Sequence, residues 1–435
     1  MLTNRRSSRI CCLDLDTFFV SVERLFDPSL VGKPVVVGAS PGKRGVVTSA
    51  SYEARRLGVH SGMSMADAQR LAPNAFYVPT RHGTYGRYAS KVKAILERYC
   101  PEVRTASVDE FILDFRGCEG LYRRPEDTSP DATIERVVRE MRQAVQDEIL
   151  LPSSAGIGTS RTIAKIASGR AKPAGVLMVP SGSERDFLAP LSVRKFPGIG
   201  PVAEANLNQA GIQTLDQLMT LPPGPTRQRF KGLMRQVDGI CTEQRVADLA
   251  PERPAFSEHD RKGGVVGSIS NERTFHADVG NLNKLEAQLL ALVERVCWRA
   301  RNRGVLARTF TLKLRFSNFE TLSRSKTIAP TNSDLPVMRC LRGLLLQNLA
   351  PGRAVRLLGV AFSKLTLEGQ QLSLPYDRGG RGDVSMAVDA VRDRFGYEAI
   401  RRGAAGGRSR WEKRSPHDGG SEATEPDQAA NARKV

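Results

Sequence analysis

Two apolar stretches each carry a pair of acids, CLDLDTFF at residues 12–19 and SVDEFILDF at residues 107–115. In the first, Asp14 and Asp16 alternate with leucine through a segment, RICCLDL, that reads as a β-strand. A spacing of two residues on a strand sends both carboxylates to one face. In the second, Asp109 and Glu110 are adjacent, while Val108, Phe111, Ile112, Leu113 and Phe115 around them read as buried strand. Adjacent carboxylates in apolar surroundings repel each other and resist desolvation. A strand edge or solvated face would accept one such pair. Two pairs, in a chain with 65 Lys and Arg against 46 Asp and Glu, ask for a compensating cation. Hard carboxylate oxygens suit Mg2+, which usually shares its coordination with substrate phosphates. Two such ions about 3.5–4 Å apart clamp the attacking and leaving oxygens of an in-line phosphoryl transfer.

The net charge of +19 points to a polyanionic partner. Nucleic acid comes first and an anionic membrane surface second, with a merely soluble basic protein as the plain alternative. At 435 residues the chain predicts about two to four domains. No run approaches the roughly 18 apolar residues of a membrane span. The opening MLTNRRSSRICCLDLD passes straight into a strand and is not a secretory signal. The cysteines, Cys11, Cys12, Cys100, Cys118, Cys241, Cys297 and Cys340, are odd in number and form no CxxC pair. They predict reduced, mostly structural thiols in a cytoplasmic protein. The histidines have no zinc-site spacing.

Strand and helix patterns alternate to about residue 180. KPVVVGA and GVVTSAS read as strands around a turn, SPGKRG, that lacks the spacing and hydroxyl of a Walker loop. SMADAQRLA is a helix with Ser64 as N-cap, AFYVPTR a strand, and TYGRYASKVKAILERYC a long amphipathic helix. A helix near 131–149 precedes a strand, helix and strand in SSAGIGTSRTIAKIASGRAKPAGVLMV. The whole predicts one mixed α/β layer with an insert near 30–80. Residues 185–255 lose the strand signal, and FPGIGPVAEANLNQAGIQTLDQL reads as two short helices around a tight turn. PERPAFSEHDRKGG reads as a linker. Strand, helix and strand return over 265–366, VSMAVDAVRDRFGYEAI is one more periodic stretch, and the remainder has a disordered composition.

LDLDTFFVSVE, SYEARRLGV, SVDEFILDF and AKIASGRAKPAG, in this order, resemble the ordered motifs of Y-family translesion DNA polymerases of the bacterial DinB type. The resemblance runs from about residue 8 to 375. It implies an α/β multidomain right-hand polymerase: a mixed α/β palm with a fingers insert, a small helical thumb with a helix-hairpin-helix, and an α/β little finger. The corresponding ranges are palm 1–29 and 83–182, fingers 30–82, thumb 183–255, linker 256–264 and little finger 265–368. A clamp-binding peptide at 369–376 and a C-terminal helix and disordered tail at 377–435 follow. The activity implied is magnesium-dependent, two-metal, DNA-templated synthesis on primer-template DNA from deoxynucleoside triphosphates, of low fidelity and without proofreading, by a monomer that does not associate with membranes.

By the same resemblance, Asp14, Asp109 and Glu110 are the catalytic, metal-binding carboxylates, and the backbone carbonyl of Leu15 joins them. Asp16 matches an acid near the site. Phe19 matches the steric gate beneath the incoming sugar, while Phe18 reads as core. Tyr52, Arg55 and Lys172 match residues that contact the triphosphate, although YEAR alone would be an ordinary exposed helix. Gly198 and Gly200 offer backbone N–H groups to a DNA phosphate at a helix start, where a plain helical turn is the alternative. Arg324 and Lys326, beside Ser323 and Ser325, suit a strand laid along DNA, with a solvated strand face as the default. Gln371, Leu372 and Leu374, in QLSLP, resemble the peptide with which bacterial polymerases dock on the sliding clamp, where a linker or strand end is the alternative. The rival function is a non-catalytic, Y-family-like DNA-binding accessory protein, which would have lost the carboxylates. A general basic DNA-binding module leaves the buried acids unexplained.

Overall fold

The computed structural model describes residues 9–40, 42–81, 83–241, 267–349, 352–367 and 381–400. They fall into two compact units, one before and one after residue 257. No helix among the described residues is long and apolar enough to cross a membrane.

The first unit is built on a five-stranded sheet ordered β5-β6-β1-β7-β8. Its strands are β1 (Ile10–Leu15), β5 (Val103–Thr105), β6 (Glu110–Asp114), β7 (Ser153–Gly158) and β8 (Val176–Met178). β1 lies between β6 and β7, antiparallel to both, with Asp14 opposite Glu110 on one side and Ser154 on the other. Its alternation explains why a strand holding acids can be central. Cys11, Leu13 and Leu15 join Phe111, Leu113 and Phe115 in the main core, under α4 (Thr84–Leu96) and α6 (Pro130–Ile149). Ile10 and Cys12 face the other way, with Ile112 and Ala164 of α7 (Arg161–Ala171). Asp14 and Glu110 follow that second face, at the end α7 leaves uncovered. α7 lies directly on β7 at Gly156, where a Cβ would come within 2.0 Å of the Ser168 nitrogen and 2.2 Å of the Ala164 carbonyl oxygen.

α1 (Phe18–Phe26) follows β1 through Thr17, which has a left-handed backbone with φ 45°. A second sheet, ordered β3-β2-β4, comprises β2 (Val35–Gly38), β3 (Val47–Ala50) and β4 (Phe76–Pro79). It carries α2 (Tyr52–Arg56), capped by the Ser51 hydroxyl, and α3 (Met65–Leu71), capped by Ser64 as its sequence predicts. α5 is the short helix Glu119–Tyr122. Helices alone follow β8: α8 (Glu184–Leu188), α9 (Pro201–Gln209), α10 (Leu215–Met219) and α11 (Pro225–Cys241).

The second unit is an antiparallel sheet ordered β11-β10-β12-β9. Its strands are β9 (Ser268–Val279), β10 (Val305–Phe316), β11 (Thr321–Thr331) and β12 (Val355–Leu367). Phe310, Leu312, Leu314, Val360 and Phe362 bury one face against α12 (Leu282–Arg301) and α13 (Asp334–Asn348). On the open face Lys313 reaches Glu272 at 2.8 Å, passing over Gly359 of the strand between. The last helix, α14 (Arg381–Phe395), meets α12 through charge: Arg392 lies 3.7 Å from Glu294, both 2% exposed, and Arg301 pairs with Asp334 and Asp389.

Two sequence expectations need comment. Val108 is 38% exposed rather than buried, because residues 106–109 leave the strand ladder and β6 begins only at Glu110. Asp109 therefore stands just outside the sheet, while Glu110 begins β6 and Asp14 lies near the end of β1. The described cysteines with assigned burial, Cys11, Cys12, Cys100, Cys118, Cys297 and Cys340, are buried free thiols. The Cys241 side chain, the linker at 256–264, the clamp-like peptide with Gln371, Leu372 and Leu374, and the tail beyond 400 lie outside the described residues.

Candidate active site

Strand pairing brings the three carboxylates together. Asp14 faces Glu110 across the β1–β6 ladder, and Asp109 precedes Glu110 in the chain, its carbonyl accepting from the Leu15 N–H at 2.9 Å. Burial raises the Asp14 pKa from its ordinary value, and repulsion from Asp109 and Glu110 adds to the rise while Lys172 opposes it. Each acid has a separate partner. Lys172 donates to Asp14, Lys165 of α7 donates to Glu110, and the Ser107 hydroxyl donates to Asp109. So turned, no three Asp, Glu, His or Cys side chains among the described residues form a ready metal cage. The donor set nevertheless suits a hard divalent cation: three carboxylates on adjoining strand ends, of which Asp14 feels the charge of the other two.

Asp16 does something different. It is 1% exposed, and its carboxylate accepts from the Ser154 hydroxyl at 2.9 and 3.0 Å and from the Ala174 N–H at 2.7 Å. Its oxygens are thereby committed to tying β1 to β7 and to the Lys172–Ala174 turn. Leu15 between the two acids is buried.

Phe18 belongs to the core, 3% exposed, as its neighbour's partly buried ring does not. Phe19 stacks flat on Tyr85 of α4, with ring centroids 3.8 Å apart and planes 5° from parallel. Tyr85 is fixed in turn: its hydroxyl donates to buried Glu23 at 2.7 Å, and Arg81 holds the same carboxylate at 2.8 Å. The Phe19 ring therefore has one face covered by Tyr85, whose own position is held by its hydroxyl bond to Glu23.

α2 brings Tyr52 and Arg55 to the same region. The Tyr52 hydroxyl is buried without a hydrogen-bond partner, and burial, reinforced by Asp16, pushes its pKa up. Arg55 donates to the Ala50 carbonyl at 3.0 Å and lies 5.3 Å from the Tyr52 ring centroid. Away from this cluster, Gly198 has φ +99° in the turn before α9, and Gly200 caps that helix with Pro201 in its first turn. Arg324 and Lys326 are exposed on β11, the edge strand, paired in register with Leu312 and Phe310.

Lys165, Ser154 and Tyr85 are residues the motif reading passes over. For Lys165 a signal exists: it lies in AKIASGRAKPAG, seven residues before Lys172, which follows α7 as its extended C-cap. Tyr85 and Ser154 come from distant segments that no local pattern connects to the acids.

Matches to known proteins agree with this geometry. The impB/mucB/samB family model covers residues 13–169, the IMS family HHH motif residues 181–212, and the impB/mucB/samB family C-terminal domain residues 266–374. A DNA polymerase IV of Dehalococcoides mccartyi (strain CBDB1) is 34% identical over 397 residues, which is 91% of this chain and 97% of that protein. The chain belongs to the DinB-type Y family of DNA polymerases. A DNA polymerase IV of Streptomyces coelicolor is 36% identical over 83% of this chain and 72% of its own length. Among solved structures, a Y-family polymerase chimera, Dbh-Dpo4(243-245)-Dbh, matches with a TM-score of 0.66 at 24% identity, covering 83% of this chain and all of that one. The insertion ternary complex of Dbh DNA polymerase matches with a TM-score of 0.52 at 24% identity, over 83% of this chain and 100% of that one. These likenesses show the fold, a right-hand polymerase with α/β palm, fingers insert, helical thumb and α/β little finger. This DinB-type chain is a DNA-directed DNA polymerase of the translesion class, and its family uses divalent metal ions.

Proposed function

We propose that this polymerase extends a primer on template DNA by magnesium-dependent, two-metal nucleotidyl transfer, with Asp14, Asp109, Glu110 and the Leu15 carbonyl as the metal-binding set. The observation that carries the reading is the pairing of Asp14 with Glu110 across two central strands, with Asp109 adjoining, in a chain of this family. Bound there, Mg2+ would supply charge for activating the primer 3′-hydroxyl and for stabilising the pentavalent phosphate and pyrophosphate.

The chain's own residues supply the rest. Phe19, braced by Tyr85, fills the space a 2′-hydroxyl would need and so favours deoxynucleotides. The Tyr52 phenol is a buried donor awaiting an acceptor, and Arg55 and Lys172 bring two cations to neutralise charge on the transferring phosphates. Backbone N–H groups at Gly198 and Gly200 would hold a DNA phosphate without reading sequence. Lys313 and Arg315 on the open face of the second sheet, with Arg324 and Lys326 at its edge, would meet further phosphates.

Palm 1–29 and 83–182, fingers 30–82, thumb 183–255 and little finger 265–368 are the corresponding ranges. We further assign the protein to the cytoplasm as a monomer, with low fidelity and no proofreading, and assign Gln371, Leu372 and Leu374 to docking on the sliding clamp. The test is primer extension with the purified chain, primed template, deoxynucleoside triphosphates and Mg2+. Templated extension that requires the divalent ion supports the reading. A protein that binds the primed template yet adds no nucleotide would be the non-catalytic accessory protein instead.

A further inference from the structure

The two lysines of the α7 region are placed unequally. Lys172 closes on Asp14 from the turn that Asp16 braces. Lys165 stands one face of α7 above the sheet and closes on Glu110. Glu110 is 13% exposed at its side chain and Lys165 49%, so the carboxylate is sheltered while the ammonium reaches it from the solvent side. Beside Glu110 on the same face of the sheet the Cys12 thiol is 1% exposed and packed with Ile10, Ile112 and Ala164, so the carboxylate has a buried neighbour on one side and Lys165 on the other. The Lys165 ammonium thus lies directly on the Glu110 carboxylate as its cation partner.

A cation in that position has two consequences that pull in opposite directions. It offsets the repulsion among Asp14, Asp109 and Glu110, which otherwise face one another across the β1–β6 ladder. It also occupies an oxygen that a divalent ion would need. Asp14 and Asp109 have donors of their own, Lys172 and Ser107, so Glu110 is the acid on which Lys165 acts.

We infer that Lys165 is a built-in counter-ion of Glu110 that stabilises the metal-free polymerase and competes with the divalent cation for this carboxylate, so that it sets the metal concentration at which the site fills. The inference rests on the assignment of Glu110 as a metal ligand. Lys165 acts here as a positioning residue through Glu110, and it is separate from the phosphate-binding role given to Lys172.

The test uses the full chain without DNA or nucleotide, with Mn2+ as the probe. Free Mn2+ is read by electron paramagnetic resonance, and thermal melting is recorded with and without the ion. Lys165→Met keeps most of the side-chain length and removes the charge. It should bind Mn2+ about threefold to tenfold more tightly than the parent, since one partly exposed opposing charge is removed. It should also melt at a lower temperature than the parent without metal, and the gap should close when Mn2+ is added. Lys165→Arg should restore both parental values. A purely structural lysine would lower the melting temperature in both conditions and leave the affinity unchanged, and that result overturns the inference. Glu110→Gln separates the two levels of the argument. If Glu110→Gln leaves Mn2+ binding as in the parent, the ligand assignment itself is wrong. If it weakens binding while Lys165→Met does not tighten it, the assignment stands and the competition is refuted.

Discussion

Replacing Asp16 with alanine separates a structural acid from the proposed metal-binding ones beside it. Its carboxylate is 1% exposed and accepts from the Ser154 hydroxyl and the Ala174 N–H, while the Lys172 ammonium lies 3.9 Å away. Ser154 is fully buried, so its hydroxyl has no route to solvent once the acceptor is removed. Leaving a buried donor unsatisfied costs about 1–3 kcal/mol, and the Ser154 hydroxyl loses its acceptor here, while the Ala174 N–H belongs to an exposed residue where water can replace the carboxylate. Partial rotation of the serine hydroxyl offsets some of this, which leaves about 2 kcal/mol. That is a large share of a typical domain stability of about 5–15 kcal/mol. Urea unfolding of parent and Asp16→Ala measures it. Asp16→Asn keeps one acceptor oxygen and should lose about half as much. In primer extension Asp16→Ala should retain turnover at temperatures where it is folded, with a raised KM for nucleotide because the Lys172–Ala174 turn has lost its tie. A stability within about 1 kcal/mol of the parent, together with abolished turnover, would refute the brace and make Asp16 a ligand.

Three further perturbations test the assigned residues. Phe19→Ala should raise ribonucleotide over deoxynucleotide incorporation by at least about tenfold, as removal of a close steric contact does in other pockets, measured as a ratio of kcat/KM values; an unchanged ratio removes Phe19 from the gate. Gly156→Ala drives a methyl into the α7 backbone, at 2.0 Å from the Ser168 nitrogen, and should cost about 3 kcal/mol or more with loss of extension as Lys165 and Lys172 shift; near-parental stability by denaturation would mean that α7 does not lie as close to β7. Gln371→Ala combined with Leu372→Ala should leave clamp-free extension intact and remove stimulation by the sliding clamp, and parental affinity in a direct titration with the clamp would make the peptide a linker.

The acids, and Phe19, Tyr52, Arg55 and Lys172 with the roles proposed for them, are legible in sequence because chemistry at such a site fixes residue type and spacing together. LDLDTFF and SVDEFILDF lie on neighbouring strands, and strand alternation alone predicts that Asp14 and Glu110 share a face. What alternation leaves open is how a strand ends. Asp16 falls where β1 has given way to a left-handed turn at Thr17, so its carboxylate reaches Ser154 and Ala174 and no local pattern shows it. Val108 reads as core by its residue type, yet it sits in the loop before β6 and faces solvent. In the second unit β9 carries little apolar alternation because it is an edge strand with only Ile269 and Phe275 fully buried. Helix α13, which packs on β10 and β11, is obscured by Pro336 in the first turn, where proline is tolerated, and by Gly343 in the middle. The ionic seam between α12 and α14 is equally hidden, since Glu294, Asp389 and Arg392 read as solvent-facing residues and are buried where the two helices meet, with Arg301 also on Asp389.

The central claim is that the carboxylates at the β1 and β6 ends serve metal-dependent synthesis and not the fold. The most direct measurement is primer extension by Asp109→Ala and Glu110→Ala in Mg2+, with primer-template binding measured on the same preparations. The account predicts that extension is lost while DNA affinity and folding stay near those of the parent. Near-normal turnover by either variant would contradict it.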